Sequence, residues 1–422
     1  MADTTLEQFT SDATSFLASH CEPREDPKAR VWGEGSDKVA VFEEKSKDAE
    51  RRDVEASKQW RQTMFDAGFG WITGPTQYGG RALPSSYQRA YDDVSANFQT
   101  PNQSPFSIGL GMVAPTFLAH GSDAAKDKYL RAMYRGEIVG CQLFSEPGAG
   151  SDLASLQTKA ERDGDEWVIT GQKVWTTGAQ FSDVGEVICR TDPNLPKHKG
   201  LTGFIVDMNS PGVEVRPLRQ MTGGSSFNEV FFNEVHVPDQ NRLGDVNQGW
   251  TVALTTLMNE RAAIGGGGGG GRSEMTALTR LSELLNAMGK GDDLVLRQEL
   301  INIFIHGQVQ KYSGMRAMAK MKAGQLPGAE MSTGKLALAM NMTRTSDFVS
   351  KVLGMKITAN SGEWGTYAWA DYVLGTPGMR IAGGSDEVMR NIVGERVLGL
   401  PKDVGIDSVT PFKDLKVGTQ KA

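Results

Sequence analysis

Two short segments contain the residue types that could hold a flat polar ligand. Residues 144–152 read F-S-E-P-G-A-G-S-D, and residues 171–179 read G-Q-K-V-W-T-T-G-A. The first segment combines a proline, small residues and two hydroxyls, so its backbone can approach a ligand closely. The second offers an indole and paired threonine hydroxyls directly after the strand-like residues 167–170. Together the segments indicate a binding site for such a ligand.

The bulk composition indicates a folded chain of several domains. At 422 residues the chain exceeds one compact core, so two or three domains are expected. Apolar residues make up 39% and charged residues 23%, which argues against disorder. The net charge of −6 gives no electrostatic reason to bind nucleic acid or an anionic membrane. Cys21, Cys141 and Cys189 lack metal-ligand spacing and suit a reducing compartment, so no metal site is predicted.

The sequence also predicts a cytoplasmic location without membrane insertion. The N-terminal residues M-A-D-T-T-L-E-Q-F lack the basic start and apolar run of a secretory signal. No window of about twenty apolar residues is present, so a membrane span is not expected.

The hydrophobic periodicity changes twice along the chain and predicts a multidomain α+β protein. The pattern is helical to about residue 136, alternates in short strand-like runs to about residue 238, and is helical again to about residue 398. We therefore expect an N-terminal α-helical domain, a central antiparallel β-barrel or sandwich domain, a C-terminal α-helical bundle and a tail. The expected boundaries are 1–136, 137–245, 246–402 and 403–422.

A run of seven glycines at residues 265–271 interrupts the last helical region. Seven glycines within a helix would cost about 1 kcal/mol each relative to alanine. The run is either a flexible loop, or a helix or helix break kept free of side chains so that a bulky group can lie against it.

The two segments resemble the flavin-binding loops of the acyl-CoA dehydrogenase family. The resemblance extends over roughly residues 30–401 and includes Gly249-Trp250 and the closing R-N-I-V-G-E-R-V-L-G-L-P of residues 390–401. It implies an FAD-dependent enzyme that forms a 2,3-enoyl-CoA by abstracting an α-proton while the β-hydrogen leaves as hydride to the flavin. A carboxylate base, donors to the thioester oxygen and a stacked flavin are the parts this reaction requires.

The resemblance also implies which glutamate is the base. Family members place it either in a helix with the pattern L-x-x-E-R or directly before a glycine-serine or glycine-threonine pair near the C-terminus. Residues 257–261 read L-M-N-E-R and fit the first pattern, whereas the second position is Gly383, which has no side chain. Glu260 is therefore expected to be the base and the Gly383 N–H a donor to the thioester carbonyl. The alternatives are a solvated Glu260 paired with a nearby arginine, and a Gly383 that only serves a turn.

Further residues receive roles from the same resemblance. The expected FAD contacts are Leu143, Phe144, Ser145, Gly150, Ser151, Trp175, Thr177, Gly384, Ser385 and Glu387. The expected substrate contacts are Ser151, Asn259 and Arg261.

The implied partners are an acyl-CoA substrate, an electron-transferring flavoprotein as acceptor, and further copies of the chain in a homodimer or homotetramer.

The sequence departs from the family at two places. Residues 286–293, N-A-M-G-K-G-D-D, replace the usual arginine-x-x-phenylalanine-glycine segment, and residues 361–365, S-G-E-W-G, replace a glycine-glycine-x-glycine stretch. The alternatives to dehydrogenase activity are an acyl-CoA oxidase or another reaction on the same scaffold, and a non-catalytic FAD-binding subunit.

Overall fold

The computed structural model describes residues 4–24, 31–42, 45–265, 278–322, 329, 331–402, 405 and 407–416. Side chains of residues 261–265, 318 and 320–322 are outside this description. The glycine run lies outside the described residues apart from the backbone of Gly265, which is the last residue of a helix.

The N-terminal part consists of helices whose ends are set by local signals. Ser46 and Ser122 accept hydrogen bonds from the backbone of the helices that follow them, and Gly136 ends a helix with φ 88°. A π-helix, Gly109–Val113, immediately precedes the fourth α-helix. The α-helices are α1 (Leu6–His20), α2 (Lys47–Asp66), α3 (Ser85–Ser95), α4 (Ala114–His120) and α5 (Asp123–Arg135).

The central part is an eight-stranded sheet. The strands are β1 (Gly140–Leu143), β2 (Lys159–Asp163), β3 (Glu166–Thr177), β4 (Val184–Arg190), β5 (Leu201–Asp207), β6 (Val213–Leu218), β7 (Phe227–Pro238) and β8 (Arg242–Leu243). Their order is β6-β7-β3-β2-β4-β5-β8, and β1 also pairs with β4.

The prediction of an antiparallel β domain is wrong in one respect, because the sheet is mixed. Strands β1 and β4 pair in parallel over four residues, and β2 meets β4 in parallel at one position. Parallel neighbours need a long crossover rather than a tight turn. The chain supplies this crossover between β1 and β4, and the 144–152 segment begins it. Along the described strands the path has two ends, β6 and β8, so the sheet is not clearly a closed barrel.

The C-terminal part is helical, and the predicted succession of helical, strand and helical parts is confirmed. The domain boundaries themselves stay a prediction. A π-helix, Val393–Val397, follows the last α-helix. The α-helices are α6 (Gly249–Gly265), α7 (Leu278–Ala287), α8 (Leu294–Lys322), α9 (Met331–Leu353), α10 (Trp369–Met379) and α11 (Asp386–Ile392).

Two of the three cysteines lie in the core of the sheet. Cys141 on β1 and Cys189 on β4 have no exposed surface, and Cys21 after α1 is partly exposed. Burial raises the pKa of both core thiols to about 12. Among the described residues, no helix combines the length and apolar character needed to cross a lipid bilayer.

Candidate active site

A cavity of about 2670 Å³ brings most of the predicted site residues together. Its walls come from the 144–152 segment, the end of β3, the helices α6 and α8, and the turn before α11. Ligand pockets usually measure about 300–1,000 Å³, so this cavity has room for more than one large ligand. The predicted residues that line it are Phe144, Ser145, Gly150, Ser151, Trp175, Thr177, Glu260, Gly383, Gly384 and Ser385.

Hydrogen bonds join the two segments that the sequence singled out. The Val174 N–H donates to the Ser145 carbonyl at 2.8 Å. The 144–152 segment folds back on itself through a pair of backbone hydrogen bonds between Glu146 and Ala149, each 3.0 Å. The segment is therefore a tight turn fixed against β3 at the cavity wall.

A buried ion pair fixes the same turn from beneath. The Lys173 ammonium group, with no exposed surface, donates to the Glu146 carboxylate at 2.9 Å and to the carbonyls of Phe144 and Ile188 at 3.1 and 2.8 Å. Burial opposes ionisation of Glu146, but the charge and hydrogen bonds of Lys173 and the Thr158 and Gln157 N–H donors hold its pKa below the usual value. The pair thus connects the turn to β3 and β4.

A β-bulge directs Trp175 into the cavity. The register of β3 against β7 shifts between Lys173 and Thr176, and Trp175 within this shift has φ 62°. Its side chain is 60% exposed and lies edge-on to Phe227 at a ring distance of 5.9 Å. Positive φ is unfavourable for a residue with a large side chain, and such strain often accompanies a functional site.

The turn before α11 forms the opposite wall. Gly383 and Gly384 have φ values of 68° and 91°, which glycine adopts without strain. Ser385 caps α11 by accepting from the Val388 N–H, and its hydroxyl lies 3.4 Å from that of Ser151. This contact is where the turn meets the 144–152 segment.

Buried charges support this second turn as well. The carboxylate of Asp386 is 1% exposed, accepts from Arg380 Nε at 2.8 Å and lies 3.6 Å from the ammonium group of Lys335 on α9. Charged side chains from α9, from the residue after α10 and from α11 therefore meet next to the glycine pair.

Glu260 lies near the end of α6, half-buried, where it lines the cavity. Leu254 and Leu257 of the same helix line it too, together with Ile108 and Met112. A carboxylate among apolar side chains is suited to act as a base, because a substrate that excludes water raises its pKa.

Three predicted contacts that the structure describes, Leu143, Asn259 and Glu387, are not part of the cavity wall. The Leu143 side chain lies in the sheet core, where it packs against Met208 and Val187 in one apolar cluster. Asn259 and Glu387 do not line the cavity, and Glu387 lies on the outer side of α11, 3.9 Å from Arg390. The side chain of Arg261 is outside the described residues.

The cavity wall fits FAD by the chemistry of its side chains. The hydroxyls of Ser145, Ser151 and Thr177 line one cavity with the exposed indole of Trp175. Hydroxyls can bond the polar edge of an isoalloxazine ring, and an indole can pack on its face. Within the described part of the chain, no group of three or more His, Cys, Asp or Glu side chains could hold a metal ion.

Lys173, Glu146, Asp386 and Lys335 support the site but are absent from the sequence-based set. Lys173 and Glu146 stand inside the two segments, yet a charged residue in a strand or turn is usually exposed. The sequence signal for a buried pair was the presence of a strongly charged residue in each otherwise apolar and small-residue motif.

The family models and known relatives agree with this architecture. Models of the acyl-CoA dehydrogenase N-terminal, middle and C-terminal domains match residues 37–137, 141–235 and 247–398. The acyl-CoA dehydrogenase FadE34 of Mycobacterium tuberculosis is 39% identical over 78% of this chain, which spans 44% of FadE34. The acyl-CoA dehydrogenase IpdE1 of the same organism is 34% identical over 84% of this chain and 90% of IpdE1. A variant of the Tcur3481-Tcur3483 steroid acyl-CoA dehydrogenase has a similar solved structure, with a TM-score of 0.70, 25% identity and coverage of 94% of this chain and 99% of that chain.

Proposed function

Because the chain belongs to the acyl-CoA dehydrogenase family of FAD-dependent oxidoreductases, we propose that Glu260 is the base that starts dehydrogenation of its acyl-CoA. Membership confirms the predicted family, cofactor and enzyme class. The observation that carries the assignment of Glu260 is its position on the wall of the cavity that also contains Gly383 and the flavin-loop residues.

The proposed residues divide the reaction between them. Glu260 takes the proton from the α-carbon, and the Gly383 N–H donates to the thioester oxygen as negative charge develops on it. FAD, when bound, accepts the electrons that leave the substrate. Trp175, Thr177, Ser145 and Gly384 orient the cofactor from the walls.

The remaining predicted contacts are to FAD and to the substrate. We expect Phe144, Gly150, Ser151 and Ser385 to contact FAD, and Ser151 also to contact substrate. Leu143 can contribute only through its backbone, since its side chain is in the core. Asn259, Arg261 and Glu387 keep the roles predicted from the sequence.

Replacing Glu260 tests the assignment. The Glu260→Gln variant keeps the shape of the side chain but cannot accept the α-proton, so exchange at Cα falls by about 10²–10⁴-fold while FAD stays bound. Exchange is followed by NMR with 3-cyclohexylpropanoyl-CoA, and FAD by its visible spectrum. Glu299→Gln is the matched control and keeps the parent rate, because this half-buried carboxylate on α8 pairs with Lys351 and does not line the cavity. Exchange at the parent rate in Glu260→Gln would place the base elsewhere.

We propose a branched, long or ring-bearing acyl group as the substrate. The large cavity and the base on α6 leave room for such a group, and the name of the similar solved structure refers to a steroid. Anaerobic bleaching of the flavin by a panel of CoA thioesters tests this. Preference for short straight chains would reject it.

Oligomerisation and the electron acceptor are further proposals. Helix α8 exposes an apolar row that a second chain could cover: Ile301, Ile305, Val309 and Tyr312, each 48–62% exposed. We propose a homodimer or homotetramer with an electron-transferring flavoprotein as acceptor. The similar steroid enzyme is named as a pair of proteins, so a complex with a different chain is the alternative. Light scattering of the chain alone distinguishes these, and peroxide formation equal to substrate loss would indicate an oxidase.

A further inference from the structure

A fully buried glutamate, Glu186, lies in the centre of strand β4. All seven residues of β4 are buried, and Glu186 has no exposed surface. Its partners in register are Gln142 on β1 and Ile205 on β5, and residues in register share a face of the sheet. A buried carboxyl group is costly unless it is hydrogen-bonded or neutral.

A chain of short contacts leads away from this carboxyl group. Glu186 Oε1 lies 2.6 Å from the hydroxyl of Thr256 on α6, which lies 2.8 Å from the hydroxyl of Thr116 on α4. The Thr116 hydroxyl in turn lies 2.9 Å from the carbonyl of Met112, whose residue lines the cavity. Both threonines are fully buried. This series of contacts therefore connects β4 to α6, the helix that carries Glu260, and to the N-terminal helix α4.

The charge of Glu186 determines how many of these three contacts can be hydrogen bonds. Three contacts need three donated protons, and the two threonines supply only two. If Glu186 is a neutral acid, it donates to Thr256, Thr256 donates to Thr116, and Thr116 donates to the Met112 carbonyl. If Glu186 is ionised, one contact has no proton. The longer contact of 3.3 Å from Thr256 to the Val252 carbonyl adds a further demand on the same hydroxyl.

The surroundings of Glu186 favour the neutral form. Its second oxygen, Oε2, is buried and has no hydrogen-bond partner within the described residues. Its register partners Gln142 and Ile205 and its contact Thr256 carry no charge, and neither does Thr116, which contacts Thr256 from α4. Burial raises its pKa to about 8, and the hydrogen bond that Thr256 donates when the carboxylate is ionised partly opposes this.

We propose that Glu186 is a positioning residue, which as a neutral acid fixes α6 and so the placement of Glu260, and which releases α6 when it ionises. Thr256 precedes Glu260 by four residues, one helical turn, so a shift of Thr256 moves the base. The proposal rests on the proposed role of Glu260. It assigns a pH-dependent loss of proton abstraction to a group that touches neither substrate nor cofactor.

The Glu186→Gln variant tests the proposal through the pH profile. The amide keeps a donor toward Thr256 and cannot ionise. In the FAD-loaded parent protein, Cα exchange of 3-cyclohexylpropanoyl-CoA falls about ten-fold between pH 7 and 9, as expected for one group with a pKa near 8. In Glu186→Gln the rate at pH 7 stays within about two-fold of the parent, and the alkaline fall disappears. Glu166→Gln, the same change at an exposed site on β3, keeps the parent profile.

Infrared spectroscopy provides a readout that needs no substrate. The parent protein at pH 6 shows the C=O stretch of a protonated carboxyl group, which disappears on raising the pH to 10 and is absent in Glu186→Gln. A parent protein without this band, or a Glu186→Gln variant that keeps the alkaline fall, would overturn the proposal. The infrared titration of the parent protein tests whether Glu186 is protonated even if the variant does not fold. Normal exchange in Glu260→Gln would reject the proposed base but leave the infrared result standing.

Discussion

At the residue scale, Trp175 combines a functional position with an unfavourable backbone. Its φ of 62° places a large side chain in the left-handed region, and the bulge that causes this turns the indole toward the cavity. The left-handed conformation costs a non-glycine residue roughly 1–2 kcal/mol. The cost belongs to the backbone, so it can be separated from the loss of the indole.

Two substitutions at Trp175 separate these effects. Trp175→Ala removes the ring and keeps the strain, whereas Trp175→Gly removes both. We expect the FAD-free Gly variant to be more stable than the Ala variant by about 1 kcal/mol in urea unfolding. Both variants lose affinity for FAD, measured by flavin fluorescence titration. Equal stability of the two variants would contradict a strained backbone at this residue.

The sequence predicted the residues of the cavity wall better than the buried charges behind them. Phe144, Trp175 and Thr177 stand in motifs with a recognisable composition. The role of Glu186 could not be predicted, because a charged residue in a strand indicates a solvent-facing position unless its distant partners are known. For Lys173 the only signal was its charge within an otherwise apolar and small-residue motif. The distant partners, such as Thr256 and Glu146, are brought near only by the tertiary fold.

At the element scale, the turn of residues 144–152 depends on the ion pair of Lys173 and Glu146 beneath it. Removing Lys173 would leave the Glu146 carboxylate buried without its cation. Breaking a buried pair in this way costs about 3–5 kcal/mol, far more than breaking an exposed pair.

We therefore expect Lys173→Met to lower the free energy of unfolding by about 3 kcal/mol and to weaken FAD binding. The double variant Lys173→Met with Glu146→Gln recovers part of the stability, because it no longer buries a lone charge. Lys159→Met, which breaks an exposed pair with Glu161 on β2, changes stability by less than about 1 kcal/mol. Urea unfolding followed by circular dichroism measures all three. A Lys173→Met variant as stable as the Lys159→Met control would be inconsistent with the role of the pair.

The periodicity of the sequence predicted elements that contact sequence neighbours and missed those with remote partners. The strand-like residues 167–170 lie in β3, which pairs with β2 directly before it in the sequence. The parallel pairing of β1 with β4 had no local signal, since its two strands are separated by about forty residues and β1 has only four. Register between such distant strands is determined by burial on both faces rather than by a turn.

At the scale of the whole molecule, Glu186 makes stability depend on pH. Its pKa is about 8 in the folded chain and near 4.5 when exposed. Between these values the folded state holds one proton more than the unfolded state. Rising pH therefore destabilises the fold by about 1.4 kcal/mol per pH unit through this group, and the effect levels off above pH 8.

Glu186→Gln removes this contribution. We expect the stability of the variant relative to the parent to increase steadily from pH 5 to pH 8, as measured by urea unfolding at saturating FAD. Glu166→Gln, at an exposed site, follows the parent at each pH. Parallel curves for the parent and Glu186→Gln would show that Glu186 does not hold an extra proton in the folded state.

The two cysteines in the sheet core allow the opening of the sheet to be followed by thiol labelling. Cys141 lies opposite Gly185 of β4, Cys189 lies opposite Thr202 of β5, and neither thiol is exposed. An alkylating reagent reacts with Cys21 first, and with the other two thiols only when the sheet opens around them. Counting labelled thiols by mass spectrometry thus times the opening of the sheet in native buffer, with no dye, denaturant or engineered label.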